Sequence, residues 1–336
     1  MSRVFAFCNT EDQVMRSSSG GAFIAICETF EKLYQNKNVY YFGAAFDDNM
    51  NVKHQYCKDL DDCIKFQGSK YVKSNISGAF EQVKKMLNDG NAVLFSGVPC
   101  QIYGLKNYLK KFDVPTNNLL TIDVICHGTP SNDLWLKYKS WLENKSQSRL
   151  IDYSFRYKKE GWKAYPALAV FENGVKFVNT ADTSVYSKLH MIGYSITEGC
   201  FKCPFSNENR EGDFTLGDFW NCDKINPDMY DEMGVSLIIE NNDSYHQILE
   251  RISLNNSYKI AEINDRRYIE CQHNLQKATI KPNNYDQFWE FYNQNSFDDV
   301  LSKYIGYGTR YKIIWKIKKL VRKTPLIKLY RKVKGN

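Results

Sequence analysis

Four cysteines that lie beside glycine or proline constrain this chain more than any other feature of its sequence. Cys200 and Cys203 form a Cys-x-x-Cys pair followed by proline, Cys100 follows Gly-Val-Pro, and Cys126 precedes His-Gly. Glycine and proline let a backbone bend around an inorganic centre with its N–H groups aimed at sulfur. Thiolates are the soft ligands that iron–sulfur clusters require and that zinc also accepts. The proline after the pair is typical of ferredoxins, so an iron–sulfur cluster is favoured, with zinc or unrelated thiols as the alternatives.

The two isolated cysteines fall in a predicted βαβ unit. An apolar run at 92–95 enters the turn of Cys100, a helix follows over 102–111, and a second apolar strand over 119–125 ends at Cys126. Two strands joined by a helix within about thirty residues are typical of a parallel pair. Ligand sites gather at the carboxyl ends of such strands. The sequence therefore predicts an α/β fold, with a mixed sheet of βαβ units flanked by helices and a cluster-binding loop.

The rest of the chain gives weaker structural signals. We predict strands at 3–8, 39–46, 52–56, 152–157, 167–178 and 235–240, the last of these being the final strand. We predict helices at 22–33, 60–66, 78–89 and 130–144. The glycine-rich segment 200–219 is expected to be a loop, and 241–300 to be mostly helical.

Three short motifs offer contacts to a phosphate or a cofactor, and each also has a plainer structural interpretation. The segment Ser18–Gly21 can hold a phosphate on its N–H groups, or its serines can cap the following helix. The segment Gly68–Tyr71 sets a lysine beside an aromatic ring, as a phosphate or flavin contact or as a solvated side chain. Asp218 lies among aromatics, where it can bond a sugar-like hydroxyl, or where a buried tryptophan simply anchors the loop.

Cysteine usage and the N-terminus predict the compartment. Acidic residues follow the first apolar ones too soon for a signal peptide, and no run of 18 apolar residues predicts a membrane span. Ten cysteines without export indicate a reducing compartment, so we expect a cytoplasmic location.

His127 is interpreted as a structural imidazole, with a hydrogen bond near the metal as the alternative. Buried hydrophobic roles are predicted for Cys8, Cys27, Cys57, Cys63 and Cys271, while Cys222 is left open.

The positive charge is concentrated at the C-terminus. The net charge is +7, yet residues 303–336 hold twelve Lys or Arg and no Asp or Glu, which leaves 33 basic and 38 acidic residues elsewhere. Apolar residues of this tail fall on one helical face, at Ile313, Ile314, Ile317, Leu320 and Val321, and resume after Pro325 at Leu326, Leu329, Tyr330 and Val333. Such a basic amphipathic helix favours an anionic membrane surface on the cytoplasmic side. An acidic partner protein is the next alternative, and the acidic body disfavours nucleic acid.

Taken in order, these motifs resemble one family. The resemblance runs from about residue 4 to 240 and rests on several motifs together, which is more specific than any single one. The motifs are Ser-Ser-Gly-Gly-Ala-Phe (18–23), Phe-Gly-Ala-Ala-Phe (42–46), Gly-Ser-Lys-Tyr (68–71), Leu-Phe-Ser-Gly-Val-Pro-Cys-Gln (94–101), Cys-His-Gly-Thr-Pro-Ser (126–131), Phe-Arg-x4-Gly-Trp (155–162), Cys-x2-Cys (200–203) and Leu-Gly-Asp-Phe-Trp (216–220). The chain resembles the coenzyme F420 hydrogenase/dehydrogenase beta-subunit family.

The resemblance implies an iron–sulfur flavoprotein oxidoreductase that binds FAD and a 4Fe–4S cluster. It implies cluster ligands at Cys100, Cys126, Cys200 and Cys203, and candidate flavin contacts at Ser19, Gly20, Gly21, Gly68, Lys70, Tyr71 and Asp218. On this basis we divide the chain into a flavin-binding part (1–75), an iron–sulfur and flavin oxidoreductase domain (76–240), a helical part (241–302) and the basic tail (303–336).

Two departures from the family shape the expected function. Many bacterial relatives begin with a ferredoxin domain, whereas this sequence starts at the flavoprotein part, so we expect a separate ferredoxin-type donor or partner subunit. The Asn-, Lys-, Tyr- and Ile-rich composition indicates an AT-rich bacterial genome, and such bacteria do not all make the deazaflavin. The acceptor is therefore expected to be either an F420-like deazaflavin or a substrate of surface-polysaccharide synthesis. The alternative is a non-catalytic or zinc-stabilised binding protein that keeps the fold and associates with a membrane.

Overall fold

The structure, a computed structural model, describes residues 2–163 and 166–322. Most of the strands in this part of the chain are short and apolar, as buried strands are. In chain order they are β1 (Arg3–Cys8), β2 (Val39–Phe46), β3 (Val52–Cys57), β4 (Ala92–Gly97), β5 (Leu119–Val124), β6 (Leu150–Ser154), β7 (Leu168–Phe171), β8 (Lys176–Val178), β9 (Phe214–Asp218), β10 (Ser236–Glu240) and β11 (Lys259–Glu262).

Eight of these strands form one mixed sheet in the order β11-β1-β10-β9-β5-β4-β2-β3. The central strands β2, β4, β5 and β9 run parallel to their neighbours in that set, while β3, β10, β1 and β11 are added antiparallel. Gly97 pairs with Asp123 at the carboxyl ends of β4 and β5. The predicted βαβ unit and the mixed α/β fold are therefore confirmed.

Helices cover both faces of this sheet and build a second layer. The described helices are α1 (Glu11–Arg16), α2 (Ala22–Leu33), α3 (Ala79–Asn88), α4 (Pro99–Lys111), α5 (Asn132–Ser146), α6 (Ala181–Ile192), α7 (Cys222–Ile225), α8 (His246–Ser253), α9 (Tyr285–Gln294), α10 (Phe297–Ile305) and α11 (Thr309–Arg322). Residues of α2 and α8 form one core with the large sheet, and residues of α3 and α4 form another. A third, aromatic-rich core joins α5, α6, α9 and α10 to the antiparallel sheet β6-β7-β8.

Two expectations about strands are wrong. The segment predicted as a loop up to residue 219 contains β9, which lies in the middle of the large sheet between β10 and β5. Glycines and polar residues hide this strand in the sequence, since its strand conformation depends on distant partners. Segment 235–240 is not the last strand, because β11 follows it and pairs with β1. The sequence was divided into four parts, and the large sheet takes strands from three of them, 1–75, 76–240 and 241–302. The boundaries of these parts stay predictions.

The described part of the basic tail is helical. Helix α11 packs against the body through Trp315, which donates to the carbonyl of Asn179 (3.3 Å), and Lys319, which donates to the carbonyls of Val178 and Asn179 (both 3.0 Å). Predictions for Pro325, Leu326, Leu329, Tyr330 and Val333 fall at 323–336, outside the described residues.

Candidate functional site

Three segments carry the four predicted ligand cysteines. Cys126 follows β5 by two residues, and Cys200 and Cys203 occupy the short 3-10 turn Glu198–Lys202 and the residue after it. Cys100 lies in the first turn of α4 rather than at a strand end, because the helix begins at Pro99 and not at Ile102 as predicted. Proline is favoured at the first helical position, which explains the earlier start.

The four thiols are close enough for their charges to interact. Burial raises the pKa of Cys126 to about 12, opposed by the Gly128 N–H and reinforced by Cys200, Cys100 and Cys203. The pKa of Cys100 is raised as well, first by partial desolvation of its thiol and then by Cys200 and Cys203, although the residue as a whole is exposed. Like charges that disfavour one another in this way favour a cation between them. Within the described residues, however, no three His, Cys, Asp or Glu side chains are arranged to hold a single metal ion.

The loop that carries Cys203 is held by a buried arginine that the sequence did not reveal as important. The guanidinium of Arg210 donates to the carboxylate of Asp123 (2.9 Å) and to the carbonyl of Phe205 (2.9 Å), so it links β5 to the loop. The other carboxylate oxygen of Asp123 accepts from the N–H groups of Glu211 (3.0 Å) and Gly212 (2.9 Å). The strand that precedes Cys126 is thereby tied to the loop that follows Cys203.

A cavity of about 500 Å³ lies between the large sheet and the second layer. Cofactor and ligand sites span roughly 300–1,000 Å³, so its size is that of a ligand site. It brings together one predicted ligand cysteine and six of the seven predicted flavin contacts, namely Cys126 with Ser19, Gly21, Gly68, Lys70, Tyr71 and Asp218.

The serine-rich turn forms one wall of the cavity. Its serines do not cap α2 as one interpretation had it, since the N-cap is Gly21 in the left-handed conformation (φ 80°). Ser18 instead accepts from the N–H of Ser69 (2.7 Å), which ties this turn to the other predicted motif. Gly20 packs against the sheet, because a Cβ there would lie 2.1 Å from the carbonyl oxygen of Phe7.

Lys70 is only partly buried, but its ammonium is held by the protein rather than simply solvated, which departs from the plainer interpretation of its motif. Its ammonium donates to the carbonyls of Lys65 (2.6 Å) and Gln67 (2.8 Å), which carry no net charge. Burial lowers its pKa to about 7, with a small opposing effect of Asp152. A partly buried lysine with neutral partners on a cavity wall is a ready contact for an anion.

Asp218 is oriented by two side chains that sequence reasoning did not assign. One of its carboxylate oxygens accepts from the Trp162 ring N–H (2.8 Å), and the other pairs with Arg156 (3.0 Å). Trp220 stacks on Trp162 with ring centroids 5.0 Å apart. Both Arg156 and Trp162 belong to the Phe-Arg-x4-Gly-Trp motif, so this motif was the sequence signal that could have identified them.

Lys158 is a buried lysine to which the sequence did not point, because it stands in a polar run that is typical of solvent-exposed segments. It is 3% exposed, and its ammonium donates to the carbonyls of Val14 (2.6 Å) and Ser19. Burial lowers its pKa to about 7, the charge of Asp218 opposing this. Lys158 therefore supports the serine turn from behind.

Four histidines line the cavity, namely His54, His127, His190 and His273. His54 bonds the carbonyl of Ser96 (3.0 Å) and the hydroxyl of Ser74 (2.9 Å), and burial lowers its pKa to about 4. His127 and His190 pack edge to face with centroids 5.0 Å apart. Among the described residues the Nδ1 atom of His127 finds no hydrogen-bond partner.

Most of the other cysteines are structural, as predicted. Cys8, Cys27, Cys57 and Cys63 are buried, and so is Cys222, which was left open. The prediction for Cys271 is wrong, because this cysteine is only partly buried and lines the cavity.

The described residues form an α/β protein in which Cys126, one of four electrostatically interacting thiols, lines a cofactor-sized cavity. The family model that describes the C-terminal part of the coenzyme F420 hydrogenase/dehydrogenase beta subunit matches residues 90–266, which include all four cysteines. The chain therefore belongs to the coenzyme F420 hydrogenase/dehydrogenase beta-subunit family, a family of oxidoreductase subunits, as the motifs predicted.

A solved structure agrees with this assignment at the level of the fold. A chain of the F420-reducing [NiFe] hydrogenase complex from Methanosarcina barkeri superposes with a TM-score of 0.54 at 14% sequence identity, over 87% of this chain and 92% of that one. The comparison with curated proteins gives no significant match. In the part of the chain that the structure describes, no helix has the length and apolar character needed to cross a bilayer.

Proposed function

We propose that this protein is an oxidoreductase that passes electrons between a 4Fe–4S cluster and a flavin, FAD, bound side by side. The observation that carries the proposal is that Cys126 lines the same cavity as Lys70, Tyr71 and Asp218. A cluster held by this cysteine would adjoin a flavin in the cavity, as electron transfer between the two requires. The flavin supplies the change between one- and two-electron chemistry, while the protein supplies position and electrostatics.

The donor set supports a cluster at Cys100, Cys126, Cys200 and Cys203. All four are thiols, Cys126 and Cys100 each interact electrostatically with Cys200 and Cys203, and thiols alone are the usual ligands of a 4Fe–4S cluster. A cubane spaces its ligands further apart than a single zinc ion, whose bonds to sulfur are only about 2.3 Å long. The effect of the other thiols on the pKa values of Cys126 and Cys100 supports a positively charged group shared among them.

The cavity walls support a dinucleotide flavin. Gly21, Ala22 and Phe23 place the N-terminus of α2 at the cavity, where helix N–H groups favour phosphate. Lys70 and, behind the serine turn, Lys158 add positive charge to the same wall. Tyr71 and Trp220 offer rings for an aromatic cofactor, while Asp218 keeps acceptor capacity for a hydroxyl.

Electrons would enter or leave on the side of Cys100. This cysteine is exposed, whereas Cys126 faces the cavity, so the four-thiol centre reaches from the surface to the interior. We propose a ferredoxin-type protein or a partner subunit as the donor on that side. On the cavity side we propose a deazaflavin like F420, or an intermediate of surface-polysaccharide synthesis, as the acceptor.

A peripheral membrane contact is the second candidate function, and one observation favours it. The face of α11 that points away from the body is apolar, with Ile313 53%, Ile317 54% and Leu320 67% exposed. Exposed apolar side chains among lysines are what an interfacial helix presents to anionic lipid. This contact would keep the protein at the inner face of the membrane. It is compatible with an enzyme and equally with a non-catalytic or zinc-stabilised binding protein.

Anaerobic purification followed by iron, sulfide, zinc and flavin analysis tests the main proposal. We expect about four irons, four sulfides and one FAD per chain, and no stoichiometric zinc. Cys203→Ser should lose the iron–sulfur absorption, whereas Cys271→Ser, a control at a cavity-lining cysteine outside the set, should keep it. A protein that stays colourless after reconstitution with iron, sulfide and FAD, or that binds zinc instead, would favour the binding-protein alternative.

A further inference from the structure

The sulfur of Cys200 is surrounded by hydrogen-bond donors from two threonines. The hydroxyl of Thr197 lies 3.3 Å from it, the N–H of Thr129 3.5 Å and the hydroxyl of Thr129 3.6 Å. Cys126 receives the N–H of Gly128 at 3.4 Å. The two threonine hydroxyls therefore single out Cys200 for side-chain hydrogen bonds.

The hydroxyl of Thr197 has one competing acceptor besides the sulfur. Thr197 precedes the 3-10 turn but its side chain does not cap it. Its hydroxyl has a second acceptor in the carbonyl of Thr129 at 3.2 Å, and the two hydroxyls are 3.3 Å apart. A thiolate is a stronger acceptor than a neutral carbonyl, so an ionised Cys200 attracts these protons.

The backbone keeps both threonines in place beside the sulfur. The N–H of Cys200 donates to the carbonyl of Thr197 (2.9 Å), and the N–H of Thr197 donates to the carbonyl of Thr129 (3.0 Å). Pro130 and Ile196, the neighbours of the two threonines, form a β-bridge. Exchanging a hydroxyl for a methyl group at either threonine therefore leaves the backbone contacts intact.

We propose that Thr129 and Thr197 tune the reduction potential of the cluster through hydrogen bonds to the Cys200 thiolate. The inference rests on the proposed function, since it assumes the cluster. Hydrogen bonds to cluster sulfurs are among the factors that set cluster potentials. When one electron enters the cluster from its donor no covalent bond changes, but the sulfur becomes more negative. The hydroxyls then bind it more strongly, which favours the reduced state and raises the potential.

The experiment compares Thr197→Val, which has nearly the same shape without the hydroxyl, with Thr197→Ser, which keeps the hydroxyl. The midpoint potential of the loaded protein is measured by a redox titration followed by electron paramagnetic resonance. We expect Thr197→Val to shift the reduction equilibrium about threefold toward the oxidised state, or ~28 mV at 59 mV per tenfold. Thr197→Ser should titrate like the wild type. Thr129→Val should shift in the same direction, and it serves as a second variant if Thr197→Val loads poorly.

Each outcome bears on a different claim. Valine variants that carry a full cluster and titrate with the wild-type potential would overturn the role of the threonines and leave the proposed function standing. A serine variant that shifts as much as the valine variant would overturn it as well, because packing and not the hydroxyl would then be the cause. Wild-type protein without iron and sulfide would overturn the proposed function itself, and the inference with it.

Discussion

The guanidinium of Arg210 lies 2.9 Å from the carboxylate of Asp123, and the two side chains are only 1% and 0% exposed. Asp123 is the second-last residue of β5, three residues before Cys126, while Arg210 comes from the loop that begins at Cys203. The pair therefore joins two of the three segments that carry the predicted cluster ligands. Its remaining hydrogen bonds go to the loop backbone, to the carbonyl of Val124 and to the hydroxyl of Thr215, so the buried ion pair is well satisfied.

Arg210→Met should remove one partner of this pair and leave a buried carboxylate uncompensated. We expect the free energy of unfolding to fall by about 3–5 kcal/mol and the cluster to be lost more readily to a chelator. Urea unfolding and the rate of iron release measure the two effects. Arg266→Met is the matched control, since its pair with Glu208 is exposed and should be worth about 1 kcal/mol or less. Equal losses of stability in the two variants would contradict the role of the Arg210–Asp123 pair in joining these segments.

Lys70 should make the stability of the cofactor-free protein depend on pH. Burial lowers its folded-state pKa from 10.5 to about 7, so between these values the unfolded chain binds a proton that the folded protein lacks. The free energy of unfolding therefore gains a contribution that rises from pH 7 toward pH 10.5, by about 1.4 kcal/mol per pH unit at most. Lys158 has the same shift and contributes with the same sign.

Lys70→Met should flatten this rise by the share of one lysine, measured as urea unfolding at pH 7.5 and pH 9. Lys110→Met, at an exposed position of the same chain, should keep the wild-type slope. An unchanged slope in Lys70→Met would mean that the ammonium is solvated in the folded protein. If the free energy of unfolding instead fell from pH 7.5 to pH 9, a bound or buried acid would control the pH dependence in this range.

The fold was predicted best for the strands that are buried on both faces, because nearly all residues of such strands are apolar. The apolar strands around Phe95 and Ile122 and the intervening helix were predicted because such runs have few alternative structures. It failed at β9, whose conformation depends on two distant strands. There Thr121 bonds the carboxylate of Asp213 through both its N–H and its hydroxyl (both 2.7 Å), a contact that no local pattern contains.

The candidate site divides in the same way. Cysteines, glycines and Lys70 stand in short motifs whose residue types already limit their chemistry, so their positions could be predicted. Lys158 and Arg210 stand in polar runs that resemble solvent-exposed loops, and only the packing of distant segments buries them. Their roles follow from charge placed in a closed environment, which a single sequence does not display.

Gly20→Ala should separate a packing role of this glycine from a role in cofactor contact. A Cβ at this position would lie 2.1 Å from the carbonyl oxygen of Phe7 and 2.5 Å from the N atom of Ser236, both of them backbone atoms that cannot yield cheaply. We expect a loss of stability of about 1–3 kcal/mol or more even without flavin, measured by thermal or urea unfolding. Gly199→Ala is the control, because a Cβ there meets nothing within 4 Å. A stable Gly20→Ala protein that only binds flavin weakly would reverse this assignment.

The outward face of α11 should decide whether the protein binds anionic lipid. Replacing Ile317 and Leu320 by Ser removes apolar side chains that are 54% and 67% exposed, so the fold should be unaffected while insertion into the lipid interface is weakened. The measurement is co-sedimentation of the full chain with vesicles of phosphatidylglycerol and phosphatidylcholine at low and physiological salt. Each buried CH₂ contributes about 0.8 kcal/mol, so the double variant should lose most of its binding, more than tenfold.

Trp315→Phe, on the inward face, keeps its apolar character and should bind like the wild type. Binding that survives the loss of both apolar side chains but disappears at physiological salt would show that the lysines alone hold the surface, and a wild type that never sediments with anionic vesicles would exclude the membrane contact.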